Sequence, residues 1–260
     1  MQTEQKALKQ STRSISNATA KTPQSTDNAA NKPAIKPNLL SIITPMLNEA
    51  QQLPALLAHL QKFQQKGCEI ILVDGGSTDG SIELASAQFE VMTAPAGRAR
   101  QMNAGARKAQ AENLLFLHAD TRLPANADRL ILDVLQQTNK QWGRFDVTIL
   151  GKSKMLPMVS WFMNKRSRLS GIATGDQAIF VTRSAFYAVS AFPDQPLMED
   201  IEISRHLRKL SSPVCLFQKV TTSGRRWDQR GSWHTIFLMW RLRWAYWRGE
   251  SAETLASLYR

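Results

Sequence analysis

The chain has 260 residues, a hydrophobic content of 43% and a formal net charge of +12. This length and apolar content allow one large domain with a sizeable core plus extensions. The two cysteines, Cys68 and Cys215, are too few for a disulfide framework, and we interpret them as buried, reduced thiols. No run of about 18 uninterrupted apolar residues occurs, so we expect no membrane-spanning helix.

Basic residues are concentrated near both ends of the chain. Six of them oppose two acidic residues in 1–38, and eight oppose three in 219–260. Such an excess indicates an anionic partner, which leaves a membrane surface, a nucleic acid, a phosphorylated substrate or simple solubility open at this point.

Residues 1–38 contain almost no large apolar side chain and are rich in Gln, Ser, Thr, Asn, Ala and Lys. Because they bury too little surface to offset the entropy of ordering, we expect a disordered basic tail. No apolar stretch follows its lysines, so we expect no secretory signal and a cytoplasmic protein.

Strand and helix patterns alternate from residue 39 onward. Strands are predicted at 39–44, 69–73, 90–93 and 113–117, and helices at 50–63, 81–88, 99–109 and 126–137. Proline 45 is expected to end the first strand. This alternation predicts an α/β domain with a mainly parallel sheet covered by helices on both faces.

The second half of the chain is less regular. Strands are predicted at 142–150, 177–181 and 214–220, and helices at 155–169, 183–189 and 200–209. The strand order is left open. We expect one domain over 39–230, followed by an amphipathic helical extension over 231–260.

Polar residues follow three of the predicted strands, at 45–49, 74–79 and 118–121. The carboxyl ends of parallel strands lie along one edge of a sheet, so these loops are expected to meet in one cleft. Asp74 and Asp79 suit sugar hydroxyls, base N–H groups or a hard metal ion. The pattern therefore indicates a nucleotide bound through its base, its ribose and a metal.

At these residues the chain resembles the family-2 glycosyltransferases of the GT-A, Rossmann-like fold, which use nucleotide-activated sugars. The matching stretches are TPMLNE (44–49), VDGGSTD (73–79), AD (119–120) and MED (198–200). The resemblance covers roughly 39–227. The stretches GRARQMNAGA (97–106) and TGDQ (174–177) are similar to a small bacterial subgroup associated with radical-SAM and selenodomain genes or arsenosugar biosynthesis.

This resemblance implies a nucleotide-sugar donor and a set of residues that bind it. The implied donor-binding residues are Pro45, Asn48, Glu49, Asp74, Gly76, Ser77, Asp79, Arg98, Gln101, His118, Arg226 and Trp227. Glu49 is expected to accept from a hydroxyl or a base N–H, and Asp74 to accept from the base.

The resemblance also implies a divalent metal, Mg²⁺ or Mn²⁺, on the donor diphosphate. Asp120 matches the last acid of the family's metal-binding Asp-x-Asp element, whereas His118 stands where the first acid is expected. This departure removes one acceptor, although a neutral imidazole is itself able to accept a hydrogen bond or to ligate Mn²⁺.

Glu199 and Asp200 are the predicted catalytic residues. A positioned carboxylate takes the proton of an acceptor hydroxyl as it attacks, and in the resembling family this acid serves inverting transfer. The alternative is that Asp200 is the N-cap of the predicted helix.

Two further basic positions have competing interpretations. Arg98 begins a helix and is a candidate for the diphosphate or the donor sugar, or it is a solvated charge. Arg226 and Trp227 suit phosphate binding and stacking, or they form a basic turn with a core tryptophan.

Residues 233–248 have the periodicity of an amphipathic helix. Five aromatic residues and Ile236 occupy an arc of about 100°, bordered by arginines, while Leu238, Leu242 and Ala245 form an opposite aliphatic strip. If the aliphatic strip packs on the domain, the aromatic residues face an anionic membrane surface. The alternative is that they face the core or another copy of the chain.

Glycosyl transfer is the function that the motifs favour. Nucleotidyl transfer shares the sheet and the metal, but it needs a glycine-rich, basic loop after the first strand, where this chain has PMLNE (45–49). A protein that binds nucleotide sugars without catalysis is a further alternative. Nucleic acid is not expected as a partner, because an acidic cleft repels phosphates.

Overall fold

The computed structural model describes residues 39–259. The tail predicted over 1–38 lies outside the described residues. The strands are β1 (Leu40–Met46), β2 (Glu69–Asp74), β3 (Val91–Thr93), β4 (Asn113–Phe116), β5 (Thr121–Arg122), β6 (Trp142–Leu150), β7 (Phe180–Thr182) and β8 (Val214–Ser223). The helices are α1 (Leu53–Gln64), α2 (Ser81–Ser86), α3 (Arg98–Lys108), α4 (Ala127–Gln137), α5 (Leu156–Ser170), α6 (Arg183–Ala188), α7 (Glu199–Leu210), α8 (Arg225–Arg230), α9 (Ser232–Trp247) and α10 (Ala252–Tyr259).

The eight strands form one sheet in the order β3-β2-β1-β4-β7-β6-β8-β5. The four strands of the first half, β3, β2, β1 and β4, pair in parallel. β7 is antiparallel to both β4 and β6, and β8 is parallel to β6. The α/β class is confirmed, and the parallel part is the half in which strands and helices alternate most regularly.

Alternation along the central strands separates two core layers. Ile42, Leu72 and Leu115 face the layer that contains α1, whereas Ile43 and Val73 face the layer that contains α3. Gly105 lets α3 approach the sheet closely, because a Cβ there would lie 2.4 Å from Cγ2 of Ile43. The period-2 pattern of each strand thus buries side chains on both faces, as a helix-covered sheet requires.

The first strand is longer than predicted, because Pro45 lies inside β1 and does not end it. Ile43 accepts a hydrogen bond from Leu117 on the β4 side, and Met46 accepts from Gly75 on the β2 side. By alternation, the nitrogen of Pro45 faces the β4 side, where pairing has already stopped at Ile43. Its missing donor therefore costs no ladder hydrogen bond.

Helix α5 takes the place of a partner strand along part of β6. β7 pairs with β6 only at Trp142 and Gly143. Beyond that point, the Asn164 side chain both accepts from the N–H of Val147 and donates to its carbonyl oxygen, and Ser160 Oγ accepts from the N–H of Ile149. These side chains satisfy backbone groups that would otherwise be left open at a strand edge.

The C-terminal helices pack as the aliphatic strip predicts. Leu238, Leu242 and Ala245 of α9 lie in a small apolar cluster with Leu255 of α10 and Met198. The prediction for Ile236 is wrong, because it is half-buried and packs against the main core. No helix within residues 39–259 has the length and apolar content needed to cross a membrane.

We predict that the protein loses stability as the pH falls, because of His59. Nε2 of His59 accepts from the N–H of Leu123 at 3.0 Å, and burial, then the charges of Arg122 and Lys62, lowers its pKa from 6.5 to about 4. Because the unfolded chain binds this proton more readily, the contribution is present above the unfolded pKa and is lost as the pH falls towards the folded pKa. Because the imidazole is partly exposed and solvent screens the shift, the free energy of unfolding should fall by about 1 kcal/mol between pH 7 and pH 5 in urea titrations.

The His59→Gln variant is the control for this prediction. Glutamine offers an amide oxygen to the N–H of Leu123 and does not titrate. An equal pH dependence in the wild type and in His59→Gln would show that another group is responsible.

Candidate active site

Gln101 of α3 joins the ends of the two central strands beneath the cleft. Its Nε2 donates to the carbonyl oxygens of Met46 and Val73, at 2.8 Å in both cases. The side chain is only 3% exposed. The predicted contact between Gln101 and the nucleotide sugar is therefore wrong for this conformation, because the side chain lies under the loops and fixes the strands from which they start.

The loops that follow β1 and β2 are hydrogen-bonded to each other. Asn48, which has a left-handed φ of 53°, accepts from the N–H of Thr78 and donates its own N–H to Ser77 Oγ. One residue further on, the N–H of Glu49 donates to Ser81 Oγ at 3.0 Å. The two strand ends thus form a single wall of the cleft.

Asp79 completes this wall. Its carboxylate accepts from the N–H and hydroxyl of Ser81 and from the N–H of Ala50. The hydrogen bond from the Ser81 side chain and then that from Ala50 lower the pKa of Asp79. The carboxylate is exposed, so it remains available to a ligand on the nucleotide side.

Asp74 shapes the loop from inside. Its side chain is fully buried, and its oxygens accept from the N–H groups of Gly76 and Ser77 and from the Ser77 hydroxyl. The implied contact between Asp74 and the base stays a prediction. Gly76, with φ of 97°, needs the left-handed region that favours glycine.

His118 forms an ion pair with Asp176 at the end of β4. Nδ1 of His118 lies 3.4 Å from Oδ1 of Asp176, and a Cβ on Gly175 would meet the imidazole at 2.3 Å. Burial opposes both charges, but the hydrogen bond between the two side chains raises the pKa of His118 and lowers that of Asp176. Only the neutral imidazole offers a free lone pair to a metal ion, so the role of His118 as a metal ligand stays a prediction.

Asp200 lies at the start of α7 and contacts the same segment. Oδ2 accepts from the N–H of Gly175 at 2.9 Å, and Oδ1 accepts from the N–H of Ile201. Met198 occupies the N-cap position, so the alternative of Asp200 as the N-cap is wrong. Burial, opposed by these hydrogen bonds, raises the pKa of Asp200. A half-buried carboxylate with a raised pKa is suited to accept a proton near neutral pH.

Glu199 does not share this exposure. It is 4% exposed, and burial followed by the charge of Asp200 raises its pKa. Its carboxyl group is thus less accessible than that of Asp200, and its predicted catalytic role stays a prediction. It lines a small cavity of about 10 Å³ together with His118 and Asp200.

Asp120 is the carboxylate that fits a metal. One of its oxygens lies 3.3 and 3.4 Å from the hydroxyls of Thr121 and Thr222. Across the chain from residue 39 to 259, no three His, Cys, Asp or Glu side chains are close enough to hold an ion by themselves. A single carboxylate fits Mg²⁺ or Mn²⁺ that takes its remaining ligands from substrate phosphates and water.

Three arginines surround these acids. Arg225 donates to Glu49 at 3.2 Å and so connects α8 to the wall of the cleft. Nη1 of Arg226 is buried and has no hydrogen-bond partner within the described part of the chain, and the guanidinium interacts electrostatically with Arg98, Asp120 and Asp176. Burial, then the positive charges of Arg98 and Arg230, lowers the pKa of Arg226. A buried guanidinium that lies beside other cations, and whose N–H group lacks an acceptor in the described part of the chain, suits a multiply charged anion.

The structure thus brings most predicted site residues to one sheet edge. Pro45, Asn48, Glu49, Gly76, Ser77 and Asp79 lie on or under the wall, while Arg98, His118, Asp120, Asp200 and Arg226 form a charged cluster. Trp227 is half-buried against the main core, which leaves its predicted stacking role as a prediction. Asp176 and Arg225 were not predicted as site residues. Asp176 lies in the quoted stretch 174–177, and Arg225 directly precedes Arg226.

A family model supports this interpretation of the site. The model described as "Glycosyl transferase family 2" matches residues 41–193, which is more than half of the chain. An uncharacterized glycosyltransferase of Haemophilus influenzae is 32% identical over 103 residues, which cover 38% of this chain and 35% of that protein. A poly-beta-1,6-N-acetyl-D-glucosamine synthase of Staphylococcus epidermidis is 22% identical over 219 residues, 75% of this chain and 53% of that protein. The chain thus spans between a third and about half of the length of these relatives.

Solved structures with the same fold include two that contain nucleotide sugars. S. aureus TarS 1–349 in complex with UDP-GlcNAc has a TM-score of 0.58 and 16% identity, over 71% of this chain and 58% of that one. Mannosyltransferase PcManGT from Pyrobaculum calidifontis, in complex with GDP-Man and Mn²⁺, has a TM-score of 0.56 and 18% identity, over 86% of this chain and 72% of that one. At these identities, the likeness shows the fold alone.

Proposed function

The chain belongs to glycosyl transferase family 2, and we propose that it moves a glycosyl group from a nucleoside-diphosphate sugar to an acceptor hydroxyl. The observation that carries the proposal is the charged cluster at the carboxyl edge of the sheet. In it, the open N–H of Arg226 lies near Asp120, and Arg98 adds a second cation, while Asp200 lies within the same cluster. Diphosphate-binding cations and a proton acceptor are thus present at one place.

The wall made by the loops after β1 and β2 is the proposed place of the nucleoside. Glu49 and Asp79 offer carboxylate oxygens to ribose hydroxyls or base N–H groups. Glu49 also accepts a hydrogen bond from Arg225 of α8, so binding of a nucleoside at the wall is expected to affect the position of α8. The nucleotide-sugar complexes of the two structural neighbours agree with a donor of this class.

Asp200 is the proposed general base of direct displacement. The acceptor oxygen attacks the anomeric carbon, its proton passes to the Asp200 carboxylate, and the bond from that carbon to the diphosphate oxygen breaks. The diphosphate leaves with the bonding electron pair. Because the acceptor oxygen attacks from the side opposite the leaving group, the anomeric configuration inverts. Arg98 and Arg226 stabilise the negative charge that grows on the leaving group.

A divalent ion, Mg²⁺ or Mn²⁺, is the proposed cofactor. Asp120 would hold it, and when bound it would neutralise charge on the leaving diphosphate. The Mn²⁺ in the Pyrobaculum mannosyltransferase structure supports this cofactor class. The stretches at 97–106 and 174–177 further support membership of the radical-SAM/selenodomain-associated subgroup. In the second stretch, Gly175 contacts Asp200 and Asp176 contacts His118.

Donor binding is tested by thermal unfolding with UDP, GDP and their sugars, with and without Mn²⁺. We expect a ligand at about 100 times its Kd to raise the Tm by roughly 5–10 °C for a chain of this size, since it binds the native state alone. Arg226→Ala should lose this shift, and Arg248→Ala, an exposed arginine on α9, should keep it. If none of these nucleotides changes the Tm of the wild type, donor binding is excluded for them.

The Asp200→Asn variant separates transfer from binding. Asparagine keeps the shape of the side chain and one of its two accepting oxygens but cannot take a proton, so donor binding should be retained while turnover falls by about 10²–10⁴-fold. Glu202→Gln in the same helix turn is the matched control and should retain turnover. Unchanged turnover in Asp200→Asn would remove it as the base and favour a nucleotide-sugar-binding protein without catalysis.

We also propose that α9 places the protein on an anionic membrane, on its cytoplasmic face. Trp233, Phe237, Trp240, Trp244 and Trp247 of this helix are all more than half exposed, and the most exposed, Trp247, reaches 80%. Arg241 and Arg248 are exposed beside them, and Arg248 lies 4.7 Å from the Trp244 ring. Tryptophan rimmed by arginine matches the interface between acyl chains and anionic headgroups.

Flotation with vesicles that contain anionic lipid tests this surface. The wild type should float, and Trp240→Ala/Trp244→Ala should lower the bound fraction about tenfold by removing buried aromatic area. The control is Trp161→Ala/Phe162→Ala, which removes two exposed aromatic residues from α5. Absence of wild-type flotation, or equal loss in both double variants, would exclude α9 as the membrane surface.

A further inference from the structure

Helix α10 reaches the proposed diphosphate site. The ring of Tyr259, in the last turn of α10, lies 4.1 Å from Cζ of Arg226 on α8. The carbonyl oxygen of Tyr259 accepts from Nη1 of Arg230 at 3.0 Å on the same helix. Two successive turns of α8 are therefore in contact with one residue, which lies 29 positions after Arg230 in the chain.

Arg226 has little else to hold it in place. Among residues 39–259, no hydrogen bond to its guanidinium is formed, and its Nη1 is buried without a partner. Arginine has several rotatable bonds, and a cation that is free to move loses entropy when it binds. The face of an aromatic ring restrains a guanidinium while leaving its in-plane N–H groups open to phosphate oxygens.

The rest of α10 is firmly packed, so the position of Tyr259 is defined. Leu255 is buried in the apolar cluster that includes Leu197 and Met198, the two residues before α7, and Ala252 at the start of α10 is buried as well. The preceding helix, α9, is joined to α7 by the Tyr246 hydroxyl, which donates to Glu202 at 3.0 Å. The helices that hold the Tyr259 ring therefore also contact the helix that begins with Glu199 and Asp200.

We propose that Tyr259 is a positioning residue that orients Arg226 for the diphosphate of the donor. This role rests on the proposed function of the site, because it needs a diphosphate ligand. The ring takes no part in bond making. It fixes the guanidinium before the ligand arrives, so its removal weakens binding of the diphosphate part and leaves the nucleoside part unaffected.

The experiment compares two probes by isothermal titration: UDP or GDP with Mn²⁺, whichever binds the wild type, and the corresponding nucleoside. Tyr259→Leu keeps an apolar side chain but has no π face, and Tyr259→Phe keeps the π face. The Kd for the nucleoside diphosphate should rise about tenfold in Tyr259→Leu and return to near the wild-type value in Tyr259→Phe. The Kd for the nucleoside should be the same in all three proteins.

Leu258→Ala is the matched control, because Leu258 is the exposed neighbour of Tyr259 in the same helix. It should leave both Kd values unchanged. An equal rise for nucleoside and nucleoside diphosphate in Tyr259→Leu, or no rise at all, would overturn the positioning role while leaving the proposed function intact. A wild type that binds no nucleoside diphosphate, whichever base it carries, would remove both the proposed function and this inference.

Discussion

The cleft depends on the hydrogen bonds that the Gln101 amide makes to the ends of β1 and β2. Two carbonyl oxygens, one from each strand, share one buried NH₂ group, so the strands leave the sheet at a fixed separation. The loops that follow then interlock through Asn48 and Asp79. Removal of this buried donor would take one hydrogen bond from the end of each strand at once, although the Met46 carbonyl oxygen would still accept from the N–H of Gly75.

Two ion pairs compensate part of the charge of the cleft. His118 is balanced by Asp176, and Glu49 is balanced by Arg225. Arg226 belongs to neither pair, lies among charges of both signs, and has an N–H group without a partner among residues 39–259. The guanidinium of Arg226 has therefore already lost its hydration water during folding. This favours a tight, oriented contact with an anionic ligand over a diffuse one.

The sequence was most informative where backbone period and chemistry coincide. The buried strands, the helices between them and the acidic loops at their ends follow from residues 39–137, and the aliphatic side of α9 follows from its periodicity. Residue type alone did not predict that Gln101, Asp74 and Glu199 are buried, since a polar side chain near a site serves equally well as a buried support. The short elements β5, α8 and α10 were not predicted, because two to eight residues carry too little periodicity and are fixed by tertiary contacts.

The replacement of a neighbouring strand by α5 has a consequence for association between molecules. Strand edges with open N–H and C=O groups recruit strands from other chains, which leads to aggregation. Along β6, Asn164 and Ser160 occupy those groups with side chains, and a side chain cannot propagate a ladder to a further strand. Two polar residues of α5 therefore prevent another strand from pairing with β6 at this position. This protection lasts only as long as α5 remains in register with β6.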